Sequence, residues 1–171
     1  MTSDQSVTVS VQTATEADAP ALAAIRNAVA ADLTLRYGHG RWSSATTEQS
    51  VLRGMKDARV LVARRDGLVV GVLRLETKKP WAIDKNYFVP ATRPLYLLDM
   101  AVDPAVQRQG IGRRLLEESL AVAKALPADS IRLDAYDHAA GAGGFYARCG
   151  FKEVGRVTYH GTPLVYYELI L

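Results

Sequence analysis

The chain has 171 residues, which is the length of one domain, and we expect residues 1–171 to form a single one. Hydrophobic residues at 49% and charged residues at 23% are typical of a soluble globular protein. The formal net charge of +3 is small and not gathered in blocks, which argues against a nucleic-acid-binding tail.

The sequence also argues against a secreted, membrane or metal-binding protein. A single cysteine, Cys149, excludes an intrachain disulfide and favours a reducing compartment, where we expect it to be a small core residue. No apolar run approaches the roughly 18 residues of a membrane span. Residues 1–6 lack the apolar core of a signal peptide and are expected to form a disordered tail. We therefore expect a cytoplasmic protein without membrane or nucleic-acid partners. Because His39, His138 and His160 lack the spacing of metal ligands, we expect no metal.

The first third of the chain predicts one strand and two helices. Val7, Val9 and Val11 alternate with polar residues, as in a half-buried strand. Thr15 followed by acidic residues predicts the start of a helix. A second, short helix is expected from Thr47 to Lys56.

A hairpin and a long connection follow. Arg59–Ala63 and Leu68–Leu75 are predicted strands joined at an Asp-Gly turn, and Gly71 predicts a bulge or a close approach of backbone. Residues 78–94 contain three prolines and three large aromatic residues. They form either a functional loop or an extended hairpin whose aromatic side chains complete the core, and the sequence does not separate the two.

The segment from Leu95 to Leu126 predicts a strand, a glycine-containing turn and a helix. An apolar run ends at Asp103-Pro104, and apolar residues at helical spacing begin at Ile111. The first amides of a helix lack partners within the helix, and the helix dipole adds positive charge there. Because Arg108, Arg113 and Arg114 flank the turn, we expect it to bind a phosphate or pyrophosphate, with a plain loop as the alternative.

Two common phosphate-binding motifs do not fit this turn. A Walker-type loop needs a Lys-Ser/Thr pair, and none follows Gly112. A dinucleotide fingerprint needs a small residue where Leu115 stands. The sequence therefore argues against a nucleotide-dependent oxidoreductase.

The last third predicts three strands and one helix. Ile131, Leu133 and Ala135 alternate with polar residues as a strand, and the glycine-rich residues 139–144 open a late helix. Phe151–Tyr159 and Leu164–Leu171 are expected to form two final strands around a turn at residues 161–163. The whole pattern indicates a mixed sheet with helices packed on it.

Two motifs resemble one known family. Gln107-x-x-Gly110-x-Gly112, after a strand that ends in Met100-Ala101-Val102, resembles the acetyl-coenzyme A signature of the GNAT superfamily of N-acetyltransferases. The segment from Gly144 to Phe151 resembles the late helix of that family, including its tyrosine. One departure is Ala139, which stands where the family often has an asparagine. The resemblance implies an α/β (α+β) fold, with a mixed, mostly antiparallel sheet of about six to seven strands flanked by about four helices.

The resemblance also implies a reaction and a cosubstrate. The expected activity is transfer of acetyl from acetyl-coenzyme A to a small-molecule or peptide amine, by direct attack in a ternary complex. A non-catalytic acyl-coenzyme A-binding regulatory or sensor module is the alternative. Oligomeric state stays open, although a homodimer is common in this superfamily. The residues implied to bind the coenzyme are Met100, Ala101, Val102, Gln107, Arg108, Gln109, Gly110, Ile111, Gly112, Arg113 and Tyr146.

Tyr146 and Asp99 are the predicted catalytic residues. Tyr146 matches the tyrosine of the family and would protonate the departing thiolate, and its alternative role is a buried aromatic. Asp99 is an ionisable group within an apolar strand and could be the base, but it could equally be a structural carboxylate paired with an arginine. Tyr96 is a second candidate base, expected on the opposite strand face.

Further candidates for the base and for the acceptor pocket remain open. The other candidate bases are Glu76, Asp134, Asp137 and His138. Aromatic and histidine side chains in two variable segments could line an acceptor pocket, or could belong to the core: Tyr37, His39, Trp42, Trp81 and Tyr87.

Overall fold

The computed structural model describes residues 8–171, so the tail expected over residues 1–6 and the first residue of the first expected strand lie outside the described residues. The helices and strands are β1 (Val9–Thr13), α1 (Ala19–Tyr37), α2 (Glu48–Met55), β2 (Ala58–Arg65), β3 (Leu68–Glu76), β4 (Pro94–Val102), α3 (Ile111–Ala125), β5 (Ser130–Tyr136), α4 (Gly143–Arg148), β6 (Lys152–Tyr159) and β7 (Thr162–Ile170). Short 3-10 turns lie at Glu16–Asp18, Arg41–Ser43, Lys85–Tyr87 and Pro104–Val106.

The strands form one mixed sheet in the order β1-β2-β3-β4-β5-β7-β6. Neighbouring strands are antiparallel except β4 and β5, which run parallel. This pair is short: it extends from Pro94 opposite Ser130 only to Tyr96 opposite Arg132. Beyond Tyr96 the two strands separate and leave an opening in the middle of the sheet. The predicted fold class, a mostly antiparallel mixed sheet flanked by four α-helices, is confirmed.

The helices cover the two faces of the sheet. Helices α3 and α4 pack on one face, where Leu97, Leu115 and Leu133 are buried. Helices α1 and α2 pack on the opposite face over β2, β3 and β4, where Leu22 and Val62 are buried. None of these helices, over residues 8–171, has both the length and the apolar composition needed to cross a membrane.

The connection at residues 78–94 covers the remainder of the α1/α2 face. Phe88 is buried against Tyr96 and Tyr166, which confirms that some of its aromatic side chains complete the core. Trp81 is 86% exposed, so the connection also presents an aromatic surface. The alternative in which aromatic side chains complete the core is therefore confirmed for Phe88, and the functional-loop alternative stays a prediction.

Gly71 combines the two features predicted for it. The register between β2 and β3 shifts beside it, since Ala63 faces Gly71 whereas Arg64 faces Val69. A Cβ built on Gly71 would lie 2.9 Å from Leu115 Cδ1. The missing side chain therefore lets α3 approach the backbone of β3.

The expected turn before the last strand is wrong in its bounds. Only His160 and Gly161 lie between β6 and β7, with φ angles of 45° and 78°. A two-residue turn with positive φ at both positions matches the twist of the flanking strands. Thr162 and Pro163 consequently lie inside β7.

Candidate active site

The turn before α3 presents backbone amides at the edge of the opening. Gly110 precedes the helix with a φ of 81°, and the Arg114 N–H donates to its carbonyl at 3.0 Å. The amides of Ile111, Gly112 and Arg113 precede this first bond of the helix. A Cβ built on Gly110 would meet no atom within 4 Å, so there is open space beside the turn. Such a helix start can bind an anion.

Two glutamine side chains hold this turn on the sheet. Gln107 Nε2 donates to the Val102 carbonyl at 2.9 Å, and Gln109 Oε1 accepts from Arg65 Nη2 at 2.8 Å. These side chains therefore position the turn, and coenzyme binding by both residues stays a prediction.

Tyr146 joins α4 to the separated part of β4. Its side chain is buried, and its hydroxyl donates to Met100 Sδ at 3.6 Å. Burial raises the pKa of the Tyr146 phenol, and the charge of Asp134 adds to the shift. The phenol is therefore a proton donor at neutral pH. Gly112 lies beside the contact between Tyr146 and Met100, since a Cβ built on it would be 3.4 Å from both Met100 Cε and Phe145 Cζ.

Asp99 lies in a bulge of β4. Ala101 faces Val72 and Leu98 faces Arg74, so β4 has one residue more than β3 between these pairs. Asp99 itself has a φ of 55°. The extra residue resets the alternation of side chains, because each added residue shifts a strand's faces by one. Asp99 therefore lies on the same face as Tyr96, and the expectation of opposite faces is wrong.

The carboxylate of Asp99 lies between two guanidinium groups. Its Oδ1 is 3.0 Å from Arg26 Nη2, and its Oδ2 is 2.9 Å from Arg74 Nε. A proton on this carboxylate would remove the charge that both arginines pair with. Glu76, another candidate base, is also paired with Arg74, at 3.2 Å. The base role of Asp99 stays a prediction, and its ion pairs favour the structural alternative.

Asp134 occupies the opening itself. It lies on β5 beyond the last residue that pairs with β4, and its neighbours Leu133 and Ala135 face the α3/α4 core. Its side chain therefore faces the side of the sheet covered by α1. Burial raises the pKa of the Asp134 carboxyl, and its own backbone amide offsets part of this rise. Of the candidate bases, this is a carboxylate without a cationic partner.

The last two candidate bases have partners at the rim of the site. Asp137 is 3.1 Å from Arg156 Nη1. His138 Nδ1 accepts from the Ala140 N–H at 2.9 Å, and its ring lies 4.7 Å from that of Trp42. Both are less suited than Asp134 to taking a proton from a substrate.

The segment between α1 and α2 closes one side of the α1/α2 face. Arg41 donates to Thr162 Oγ1 and to the His160 carbonyl, both at 3.1 Å, and so ties this segment to the β6–β7 turn. Trp42 Nε1 donates to the Gly38 carbonyl, and the centroids of the Trp42 and Tyr136 rings are 5.6 Å apart. Of the predicted acceptor-pocket residues, Trp42 thus lies beside the opening.

A cavity of about 400 Å³ lies on the other side, between the 78–94 connection and the β6–β7 hairpin. Two further predicted pocket residues, Trp81 and Tyr87, line it together with Tyr166. Beneath this connection is a buried ion pair that the sequence did not reveal: Arg132 Nε lies 3.2 Å from Glu168 Oε1. The one feature of the sequence that could have indicated this ion pair is that Arg132 and Glu168 are polar residues within otherwise apolar strands.

Other predicted features fall outside this site. Cys149 is half-buried and packs against the core, as its sequence context predicted. Over residues 8–171, no group of three or more His, Cys, Asp or Glu side chains is placed to hold a metal ion.

Comparisons with known proteins point to one family. A family model described as an acetyltransferase (GNAT) domain matches residues 56–153, which is more than half of the chain. Alpha-tubulin N-acetyltransferase 2 from Trypanosoma cruzi (strain CL Brener) is 33% identical over 79 residues. These residues are 46% of this chain and only 24% of the relative, so the match spans about a quarter of its length.

Solved structures match almost the whole chain. The ribosomal-protein-alanine N-acetyltransferase from Brucella melitensis has a TM-score of 0.73 and 24% identity, with 95% of this chain and 99% of that chain covered. The PaiA N-acetyltransferase from Thermoplasma acidophilum, solved in complex with coenzyme A, has a TM-score of 0.70 and 16% identity over 95% and 99% of the two chains. At these identities the likeness shows a shared fold.

Proposed function

This chain belongs to the GNAT family of acetyltransferases, and on that premise we propose that it transfers the acetyl group of acetyl-coenzyme A to an amine. The observation that carries the proposal is the opening between β4 and β5. An anion-binding helix start and the Tyr146 phenol border it on one face, and the Asp134 carboxyl borders it on the other. A thioester placed there would be reached by an amine from the opposite side of the sheet.

The coenzyme would follow β4 and end at the start of α3. Its pyrophosphate would accept hydrogen bonds from the amides between Gly110 and Arg113, with Arg108 adding charge. Because β4 loses β5 as a partner after Tyr96, its edge from Met100 to Val102 faces the opening, where the Val102 carbonyl also accepts from Gln107 Nε2. The amides of the pantetheine arm would pair with this edge as an added strand.

The reaction needs two proton transfers. The neutral amine attacks the acetyl carbonyl carbon, the new C–N bond forms and the C–S bond breaks. We assign to Tyr146 the proton that the departing thiolate takes, since its phenol lies at this part of β4 and stays protonated. The amine loses its proton to a base on the acceptor side.

We assign that base to Asp134 in place of Asp99. Asp134 faces the opening and pairs with no cationic side chain in the described part of the chain, whereas Asp99 is held by Arg26 and Arg74. Burial raises the pKa of Asp134 toward neutral pH, which makes it a better proton acceptor. Asp99 would then hold the bulge of β4 in place.

Thiol release from acetyl-coenzyme A in the presence of a broad panel of amines tests the proposal, together with calorimetry of coenzyme A binding. Binding and amine-dependent thiol release support acetyl transfer. Binding without thiol release from any amine would leave a non-catalytic coenzyme-binding module. No binding at all would overturn both functions.

A further inference from the structure

We infer that the acceptor is a small cationic amine with an aromatic or other apolar body and no carboxylate, and that it lies in the cavity between the 78–94 connection and the β6–β7 hairpin. This inference rests on the proposed function and adds the class of acceptor to it.

The cavity lies one strand away from the proposed base. Asp134 on β5 and Tyr166 on β7 face each other in the sheet register, and Tyr166, which is 2% exposed, lines the cavity whereas Asp134 does not. Adjacent strands lie about 4.8 Å apart, so an amine at Asp134 can extend its body into the cavity within two strand spacings. A volume of about 400 Å³ suits a small molecule.

Aromatic side chains form the walls of the cavity. The centroids of the Tyr87 and Tyr166 rings lie 5.5 Å apart in an edge-to-face arrangement. Val157 and Trp81 add apolar side chains to a lining that also includes the polar residues Asp84 and Thr158. A Cβ built on Gly155 would overlap the Tyr87 ring, so the missing side chain lets this ring lie on β6. Such walls favour an aromatic or apolar body.

Asp84 is the one acidic or basic side chain among the described residues that line the cavity, and its Oδ1 accepts from the Asn86 N–H at 3.0 Å. Lys79, which is not part of the lining, donates from Nζ to the carbonyl of the lining residue Ile83 at 2.6 Å. An ammonium group is attracted by the carboxylates of Asp84 and Asp134, and a carboxylate next to the amine is repelled by both. An amine without a carboxylate therefore fits better than an amino acid.

A polypeptide acceptor would meet a closed side. To pass between the α1–α2 segment and the β6–β7 turn, it would have to break both hydrogen bonds of Arg41. It would also have to displace Trp42 from Tyr136 and His138. The cavity beside this closed side, of about 400 Å³, is small for a polypeptide.

A matched panel of acceptors tests the inference: 2-phenylethylamine, phenylalanine, n-butylamine and a short peptide with N-terminal alanine. Phenylalanine differs from the first by its carboxylate, and n-butylamine by the missing ring. We expect kcat/KM for 2-phenylethylamine to exceed that for each of the other acceptors by about tenfold or more. A factor of this size is what the loss of one or two pocket contacts produces. Equal or faster transfer to the peptide or to phenylalanine would overturn the inference and leave acetyl transfer intact.

Two variants locate the effect in the cavity. Tyr87→Ala is expected to raise KM for 2-phenylethylamine about tenfold while that for n-butylamine changes little. Val89→Ala, which changes an exposed residue of the same connection outside the lining, is the control.

Asp84→Asn tests the charge. It keeps an oxygen for the Asn86 amide and removes the charge, so discrimination against phenylalanine should fall about tenfold.

Calorimetry on the coenzyme A complex separates this inference from the proposed function. Suppose that no thiol is released but 2-phenylethylamine binds, and Tyr87→Ala weakens this binding. The inferred acceptor site is then supported and the proposed acetyl transfer is contradicted. If 2-phenylethylamine neither binds nor reacts, or if Tyr87→Ala has no effect, the inference is wrong.

Discussion

The carboxylate of Asp134 and the phenol of Tyr146 border the opening between β4 and β5 from opposite faces of the sheet. After burial, the charge of Asp134 is the next cause that raises the pKa of Tyr146. Burial likewise raises the pKa of Asp134. The same surroundings thus keep the phenol protonated at neutral pH, although as a weaker acid than free tyrosine, and make the carboxylate a stronger proton acceptor.

Replacing Tyr146 with phenylalanine removes the proposed acid and keeps the ring in its aromatic surroundings. We expect kcat to fall about 100-fold, at the lower end of what general acid catalysis contributes. The affinity for coenzyme A should change by less than about threefold, because the phenol acts on the leaving group. Steady-state kinetics and calorimetry measure the two quantities separately. An unchanged kcat would show that Tyr146 is only a packed aromatic.

Asp134→Asn removes the proposed base with little change of shape. We expect kcat/KM to fall about 100- to 1,000-fold and the acidic limb of the pH profile to disappear. The charge of Asp134 acts on the phenols of Tyr136, Tyr146 and Tyr166, and burial is the largest cause that raises the pKa of each of them. They therefore stay protonated where the acidic limb lies, and a limb that persists in the variant would exclude Asp134 as its source.

The same substitution should stabilise the protein at neutral pH. Burial raises the pKa of Asp134 above its ordinary value of 3.8, so the folded state holds the proton more tightly than the unfolded state. Below pH 3.8 the carboxyl is protonated in both states and this contribution to stability is fully present. It is lost as the pH rises from 3.8, the ordinary pKa, through the raised pKa of the folded state. Thermal unfolding should show a higher Tm for Asp134→Asn at pH about 7.5, with a smaller difference at about 4.5. A difference that grows toward acid would contradict the sign of this shift.

Asp99→Asn tests whether the second candidate carboxylate is structural. Asparagine tolerates the positive φ of this position but loses the ion pairs with Arg26 and Arg74. These side chains are partly exposed, so we expect the free energy of unfolding to fall by about 1–2 kcal/mol. Denaturant unfolding measures this loss, and kcat should change less than about tenfold. A fall in kcat as large as that expected for Asp134→Asn would restore Asp99 as the base.

The sequence predicted the elements of this fold better than the surroundings of single side chains. The apolar periodicities of Leu95–Val102 and of the helix after Gly110 depend on neighbours in the chain, and both elements are confirmed. The side chain of Asp99 was placed on the wrong face relative to Tyr96 because a bulge depends on the register of the facing strand.

The burial of Arg132 and Glu168 could not be predicted for a similar reason. Both alternate with apolar residues and so resemble solvent-facing positions of a strand. They are 4% and 3% exposed because the 78–94 connection folds over them, with the Val89 carbonyl and amide as additional partners. Long-range cover of this kind leaves no local pattern, and the same holds for the choice of Asp134 among the candidate bases.

Gly110→Ala tests the turn that the proposed coenzyme site depends on. Gly110 and Gly67 both have positive φ angles, 81° and 77°, and a Cβ on either would meet no atom within 4 Å. Each alanine variant should therefore lose about 1 kcal/mol of stability through backbone strain alone. Only position 110 adjoins the amides of α3, so we expect Gly110→Ala to weaken coenzyme A binding about tenfold or more, while Gly67→Ala leaves it unchanged. Calorimetry with both variants, corrected for stability, measures the difference. Equal affinities would mean that the coenzyme phosphates lie elsewhere, since strain in the turn could not reach them.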